Sequence, residues 1–356
     1  MPTDVNHPAT DALLDWYSEY KRDLPWRENP EPYGVWLCEI IMQQTRIQQG
    51  IGYWHRFLNT YPTVEDLARA SESDVLKLWE GLGYYSRARN LHRAAQEVVT
   101  RWGGVFPGRA EDLRTLPGVG PYTAAAIASI SAGEAVAAVD GNVTRVISRF
   151  LGLDEPVDRP VGREAVQRGA EALLSLRRPG DFNQALMDLG GQTCTPKSPD
   201  CPACPLRPWC ASGSQPALAA RRPVKSAGRP VTEVHWDLHW ITDGAGWILH
   251  RRPAPGIWAG LWCLPISESS PTPTPPFPDL IPSPLLVPLP APAPPVTHLL
   301  THRRLQIRFV GWHLASPPPS LPEGWHWHTP EQSAARALPR PLVKSHEALA
   351  NFLTRV

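Results

Sequence analysis

A mainly α-helical domain followed by a smaller α+β domain is the fold class that this sequence predicts, on three observations. Between residues 11 and 210 apolar residues recur at helical spacing, as in Val35-Trp36-Leu37-Ile40-Ile41, Val75-Leu76-Leu78-Trp79 and Ala165-Val166-Ala170-Leu173-Leu174. From Val234 the period shortens to two, in Val234-Trp236-Leu238-Trp240, Trp247-Ile248-Leu249 and Leu305-Ile307-Phe309, and a helical pattern closes the chain from Pro341 to Val356. Residues 213–230 lose periodicity into Ser, Ala, Pro and Arg, the composition of a linker. The domains are therefore drawn at 1–212 and 231–356, a division that suits 356 residues.

The net charge is +1, so no global basic field announces a nucleic-acid partner. Arg87, Arg89, His92 and Arg93 nevertheless form one local cluster, and Arg221, Arg222, Lys225 and Arg229 another. Such patches neutralise phosphates or simply solvate a helix face. No run of 18 apolar residues predicts a membrane span. Residues 266–295 form a proline-rich insertion that reads as an extended surface loop, because proline cannot donate to a sheet ladder. It serves as a spacer or as a ligand for a proline-binding partner.

Chemistry first shows between Leu116 and Arg145. Leu116-Pro117-Gly118-Val119-Gly120-Pro121-Tyr122 reads as a hairpin between two helices. Gly118 and Gly120 are expected to supply positive φ angles and to turn backbone N–H groups toward a phosphate at a helix N-terminus. The same turn also serves as an ordinary helix connector. Asp140, 18 residues beyond Tyr122, opens the next helix in Val139-Asp140-Gly141-Asn142, where Asp is a favoured N-cap. A phosphate clamp with a carboxylate beside it points to chemistry on a nucleic-acid backbone or base.

Glu39 has Val35, Trp36, Met42 and Gln43 as its helical neighbours. On so apolar a face its pKa is expected to rise, the condition for a general acid at neutral pH. Cys194, Cys201, Cys204 and Cys210 lie within 17 residues, interleaved with prolines that keep the segment looped. Four thiolates converging there suit zinc or an iron–sulfur cluster, with two disulfides as the alternative. Cys38 and Cys263 have no partner in sequence and no signal peptide opens the chain, so a reducing cytosol is expected.

Together the hairpin, Asp140 and the cysteine quartet resemble the helix-hairpin-helix DNA glycosylases with an iron–sulfur cluster, the endonuclease III superfamily, and within it the MutY-type adenine glycosylases. The likeness runs from about Trp16 to Cys210 and resumes in the C-terminal part. It implies a helix-hairpin-helix glycosylase domain with a [4Fe–4S] loop and a C-terminal Nudix-like (MutT-like) domain. The implied activity is base excision repair of adenine mispaired with 8-oxoguanine or G in double-stranded DNA. A monomer working in the bacterial cytosol at the nucleoid, with no membrane partner, is expected.

The resemblance also assigns roles. Glu39 protonates the adenine, Asp140 stabilises the oxocarbenium ion, and Asn142 supports that site. Tyr122 stands where strand-cutting relatives carry a nucleophilic lysine, so a glycosylase without lyase activity is implied. Trp26, Arg27, Met42 and Gln184 line the adenine pocket. Gln44 and Tyr84 fill the gap left by the extruded base, and Thr45 and Leu82 touch the orphaned purine. In the C-terminal domain the signature Trp258-Ala259-Gly260-Leu261-Trp262 brings Gly260 to the DNA, and Thr301 and His302 read 8-oxoguanine. The Arg-Glu-x-x-Glu-Glu cluster of Nudix pyrophosphatases is missing, so that activity is not expected. Competing readings are an endonuclease III-like pyrimidine glycosylase with lyase activity and a non-catalytic iron–sulfur DNA-binding protein.

Overall fold

The structure is a computed structural model that describes residues 6–226, 230–271, 285–314, 321 and 323–353. Its residues group into two compact units, Met1–Arg69 with Asn90–Ala227 and Ala70–Arg89 with Gly228–Val356. The grouping differs from a single cut near residue 212, because Ala70–Arg89 packs with the C-terminal residues.

The first unit is helical. Its helices are α1 (Pro8–Tyr20), α2 (Pro25–Glu28), α3 (Pro32–Met42), α4 (Ile47–Thr60) and α5 (Val64–Arg69). α6 (Glu72–Leu78) belongs to the second unit, and α7 (Ser86–Trp102) begins there. The first unit continues with α8 (Ala110–Leu113), α9 (Pro121–Ala132), α10 (Gly141–Leu151), α11 (Pro160–Leu173), α12 (Pro179–Gln192) and α13 (Pro216–Arg221). Proline opens α1, α3, α9, α11 and α12, where its fixed φ suits the first turn and its missing N–H is no loss. Gly133 and Gly152 end α9 and α10 in the left-handed conformation, each with φ of 70°.

Leu13, Leu14 and Tyr17 of α1 pack with Val143, Val146, Ile147 and Phe150 of α10 and with Phe182, Leu186 and Leu189 of α12. α3 packs on α9, and α9 on α12, so the ends of three helices meet around one hollow. Contrary to the expected linker, α13 occupies part of residues 213–230. Ala219 is buried, and the Arg222 carbonyl accepts from the buried Arg149 Nε at 3.1 Å, which folds this stretch onto the helical unit.

The C-terminal part of the second unit is a mixed sheet of β1 (Thr232–Thr242), β2 (Trp247–Arg251), β3 (Trp262–Cys263), β4 (Ile266–Glu268), β5 (Leu286–Leu289), β6 (Val296–Leu299), β7 (Arg303–Leu314) and β8 (Trp325–His328). The central path runs β3-β2-β1-β7-β5, with β1 and β7 parallel from Thr232↔Arg303 to Thr242↔His313. Alternation sends Leu238, Trp240, Leu305, Ile307 and Phe309 to one face, under α15 (Arg340–Leu353), and Ile241, Trp312 and Leu314 to the other. A short α14 (Pro330–Ala334) precedes α15. The insertion expected as a loop over 266–295 contributes β4 and β5. Proline is tolerated in β5 because it pairs on one side only, with Pro288 opposite Trp312. Residues 272–284 of that insertion lie outside the described residues.

One glycine tests the close approach of α12 to α9. A Cβ on Gly180 would lie 2.7 Å from the Ser129 carbonyl oxygen and 2.9 Å from the Ile130 Cα, and backbone cannot swing aside. Overpacking of this kind costs about 1–3 kcal/mol. Gly180 sits in the first turn of α12, where helix propensity offsets little of it. Gly180→Ala is expected to lower the melting temperature by several degrees in calorimetry, and a value at or above wild type would refute this account of the packing.

Candidate active site and the four-cysteine cavity

A cavity of about 210 Å³ opens in the first unit. It is lined by Trp26 and Arg27 from α2, Glu39 and Met42 from α3, Tyr122 from α9, Asp140 and Asn142 at the start of α10, and Gln184 from α12. Residues 158 positions apart in sequence, from Trp26 to Gln184, are thus gathered around one cavity. Thr45 also lines this cavity.

Glu39 and Asp140 differ in their surroundings. Burial pushes the Glu39 carboxyl up to about 7, the nearby Tyr122 phenol opposes this by hydrogen bonding, and the Asp140 charge adds to the rise. Burial, with the two carboxylates nearby, also raises the Tyr122 phenol well above its ordinary value. That phenol lies 3.7 Å from the Met187 sulfur. Asp140 is the N-cap of α10: one oxygen accepts from the Val143 N–H at 2.7 Å and the other from Asn142 Nδ2 at 2.9 Å. The capping role and the site role therefore coexist in one side chain.

Behind Asp140 stands a cation that sequence reasoning passed over. Arg145 Nη2 donates to Asn142 Oδ1 at 2.8 Å and to the Gly190 carbonyl at 2.6 Å, while its Nε donates to the Cys194 carbonyl at 2.8 Å. Gly190 is needed for this approach, since a Cβ there would lie 2.7 Å from the Asn142 Cβ. The available signal was the pair Arg145 and Arg149, four residues apart on a helix whose other inward positions are apolar.

Arg27 was expected to offer its guanidinium to a base. Instead its Nη1 and Nη2 bind Asp188 at 2.7 and 3.0 Å, and Nη1 also binds the Arg22 carbonyl. Asp188 is fully buried, and burial alone would raise its carboxyl; hydrogen bonds and charge from Arg27 and Arg22 outweigh that and hold it low. Arg27 Nε is buried with no hydrogen-bond partner. Trp26 packs edge-on against Trp54, with ring centroids 5.8 Å apart.

The hairpin is as expected at Gly118, with φ of 79°, where a Cβ would also meet the Asn90 Cβ at 2.7 Å. The expectation fails at Gly120, which caps α9 in an extended conformation (φ −86°, ψ 176°) that any residue adopts. Gln44 is exposed just past α3 and has φ of 55°.

In the second unit, Tyr84 is 47% exposed, has φ of 46°, and its hydroxyl lies 2.9 Å from the Thr301 hydroxyl. Thr301 and His302 form the exposed tip of the β6–β7 hairpin rather than a strand edge. Leu82 is mostly buried. Gly260 faces Arg89, Glu72 and Leu76 at ordinary contact distance, and its φ of 75° is what favours glycine there. The basic cluster expected on α7 is engaged internally: Arg87 lies over Trp79 and Tyr84, Arg89 binds the Ala259 carbonyl, and His92 is buried.

All six cysteines are free, which removes the disulfide alternative. Cys194, Cys201, Cys204 and Cys210 line one cavity of about 30 Å³ with Arg149, Thr193 and Ser212. Among the described residues, no group of three or more His, Cys, Asp or Glu is gathered to hold a metal ion. The donor set nonetheless fits a polynuclear iron–sulfur centre, which brings its own volume between four thiolates. Burial pushes the Cys204 thiol up to about 12 and raises Cys210 as well, so a bound metal would have to supply the charge that ionises them. Arg149 Nη1 lies 3.3 Å from the Cys194 sulfur.

Comparison with known proteins gives the family. Residues 37–170 match the HhH-GPD superfamily of base excision DNA repair proteins, and residues 238–348 match the NUDIX domain. An adenine DNA glycosylase of Homo sapiens is 34% identical over 94% of this chain and 72% of its own length. One from Arabidopsis thaliana is 38% identical, covering 71% of this chain and 46% of the relative. Among solved structures, a thermostable thymine-DNA glycosylase matches with a TM-score of 0.53 and 29% identity over 58% of this chain and 95% of that one. A trapped endonuclease III–DNA covalent intermediate, 22% identical over 59% of this chain and 95% of that one, shares the fold with a TM-score of 0.50. The protein belongs to the adenine DNA glycosylase family, a helix-hairpin-helix glycosylase domain joined to a Nudix-like domain.

Proposed function

We propose that the chain extrudes adenine lying opposite 8-oxoguanine or G from duplex DNA and hydrolyses its N-glycosidic bond without cutting the strand. The observation that carries this reading is one cavity holding a carboxyl poised near neutrality, Glu39, and a doubly hydrogen-bonded carboxylate, Asp140. Adenine leaves poorly as an anion, so Glu39 delivers a proton to the ring. The sugar then gains positive charge, which Asp140 meets while water attacks. General acid catalysis contributes about 10²–10⁴ in rate, and electrostatic stabilisation in a dry pocket at least as much. Tyr122 orients the Glu39 proton; a phenol forms no Schiff base, which supports a monofunctional enzyme.

Trp26 and Met42 wall the base, and Gln184 meets its edge. Arg27 braces the wall through Asp188, leaving Nε for the base. Extrusion costs a few kcal/mol of stacking and pairing, which Gln44 and Tyr84 offset by filling the gap. Thr45 and Leu82 touch the orphaned purine. Gly118 and Gly120 bring backbone N–H groups to phosphate. Thr301 and His302 read the damaged purine, and Gly260 acts only by permitting the positive φ of its loop. Cys194, Cys201, Cys204 and Cys210 would hold a [4Fe–4S] cluster, which supplies a structural clasp. The enzyme works as a monomer in the cytosol.

Single-turnover assays on duplexes with A opposite 8-oxoguanine, G or C test the reading. Base loss is expected opposite 8-oxoguanine and G only, with strand scission only after alkali. Asp140→Asn and Glu39→Gln should each lose at least about 10²-fold in rate. Borohydride-stable crosslinks to damaged DNA, or unimpaired excision by both variants, would overturn it.

Glu39 acts as an acid only when protonated, so excision should slow as pH rises through about 7. Stability has the matching sign. The folded carboxyl holds its proton more tightly than the unfolded one, so wild type loses stability relative to Glu39→Gln from about pH 4.5 up to about pH 7. Denaturant melts showing a pH-independent gap between the two proteins would refute this.

Joint replacement Thr301→Ala and His302→Ala is expected to narrow the preference for 8-oxoguanine over G, measured as the ratio of single-turnover rates. An unchanged ratio would remove both from the recognition surface.

A further inference from the structure

The cysteine cavity carries a hydroxyl that the protein itself does not use. Ser212 is 1% exposed, its Oγ is buried without a hydrogen-bond partner, and it lines the cavity together with the four cysteines. Its backbone is pinned, since the Ser212 N–H donates to the Arg149 carbonyl at 3.2 Å. A buried hydroxyl without an acceptor disfavours the fold unless an acceptor arrives.

Neighbouring donors around the cavity are already engaged. Arg149 Nη1 reaches the Cys194 sulfur at 3.3 Å and the Thr195 carbonyl at 2.7 Å, and the Gly213 N–H donates to the Cys210 carbonyl at 2.9 Å. The Ser212 hydroxyl, by contrast, is buried and unpaired.

We infer that Ser212 Oγ–H donates a hydrogen bond to a sulfur of the iron–sulfur cluster and thereby raises the reduction potential of that cluster. The inference rests on the cluster reading given above. A hydrogen bond to sulfur favours the more negative, reduced state, which is how neighbouring donors tune such centres. In this role Ser212 is a tuning residue, remote from the bond that breaks.

Voltammetry of the full-length, cluster-loaded protein tests it. Ser212→Ala is expected to shift the potential downward, raising the oxidised-to-reduced ratio about threefold at a fixed potential, which is about 28 mV for a one-electron couple. Ser212→Thr keeps the hydroxyl and should match wild type. Loss of the cluster from Ser212→Ala but not from Ser212→Thr supports the same conclusion. An unchanged or raised potential in Ser212→Ala, an equal shift in both variants, or cluster loss from both overturns it. Iron and acid-labile sulfide are measured first in wild type: zinc, or no metal, there defeats the cluster reading and this inference with it, whereas full loading with an unmoved potential defeats only the role of Ser212.

Discussion

The N-terminus of α10 is where this site is decided. Asp140 caps the helix through the Val143 N–H and takes a second hydrogen bond from Asn142. Losing an N-cap costs about 0.5–2 kcal/mol, so truncating this side chain disturbs the helix as well as the chemistry. Asn142 is in turn held by Arg145, which also grips the carbonyls of Gly190 and Cys194. The carboxylate at the cavity and the first cysteine of the loop are thereby tied to one guanidinium. Any shift of the loop that moved Cys194 would pull on Arg145 and loosen Asn142. A structural centre in the loop can therefore matter to the reaction without touching the substrate.

The two carboxylates show why a shared cavity need not give them shared behaviour. Glu39 rises from the last turns of an apolar helix, where the Tyr122 phenol and the Arg27 charge oppose the effect of burial without cancelling it. Asp140 lies at a helix N-terminus, where backbone N–H groups and the helix dipole favour an acceptor. One is placed to carry a proton and the other to face a cation. The same logic, one acid and one base set by environment, governs hydrolysis of O-glycosides.

Much of this was legible in the sequence because the signals are local. Proline starts, glycine stops and the Asp140 cap marked helix ends, and the apolar neighbours of Glu39 implied its raised carboxyl. What escaped depends on contacts distant in sequence. Asp188 takes the guanidinium of Arg27 from 161 residues away, and no local pattern near Arg27 reveals that. Arg149 meets Cys194 from 45 residues away, and the Ser212 N–H is fixed by the Arg149 carbonyl. Gly120 misled for a different reason: a glycine is permitted at positive φ but not obliged to adopt it, and as an N-cap it is extended. The basic cluster on α7 misled because composition cannot say which cations a protein spends on its own carbonyls and rings.

Tyr84 shows how strain and support are balanced at an exposed residue of the second unit. A non-glycine residue in the left-handed region costs about 1–3 kcal/mol and persists only when its surroundings hold it there. Here they do so on several sides. Trp79 Nε1 donates to the Gly83 carbonyl at 3.0 Å, Arg87 lies over the rings of Trp79 and Tyr84, and Thr301 meets the Tyr84 hydroxyl. The ring stays nearly half exposed despite this support. A side chain that only packed a core would not need a strained backbone to keep it in solvent, whereas one that must enter a base stack gains by being fixed in advance, since ordering it on binding would cost entropy. On the proposed reading Thr301 belongs to the reader of the damaged purine, and its hydrogen bond to the Tyr84 hydroxyl would join that reading to the placing of the plug.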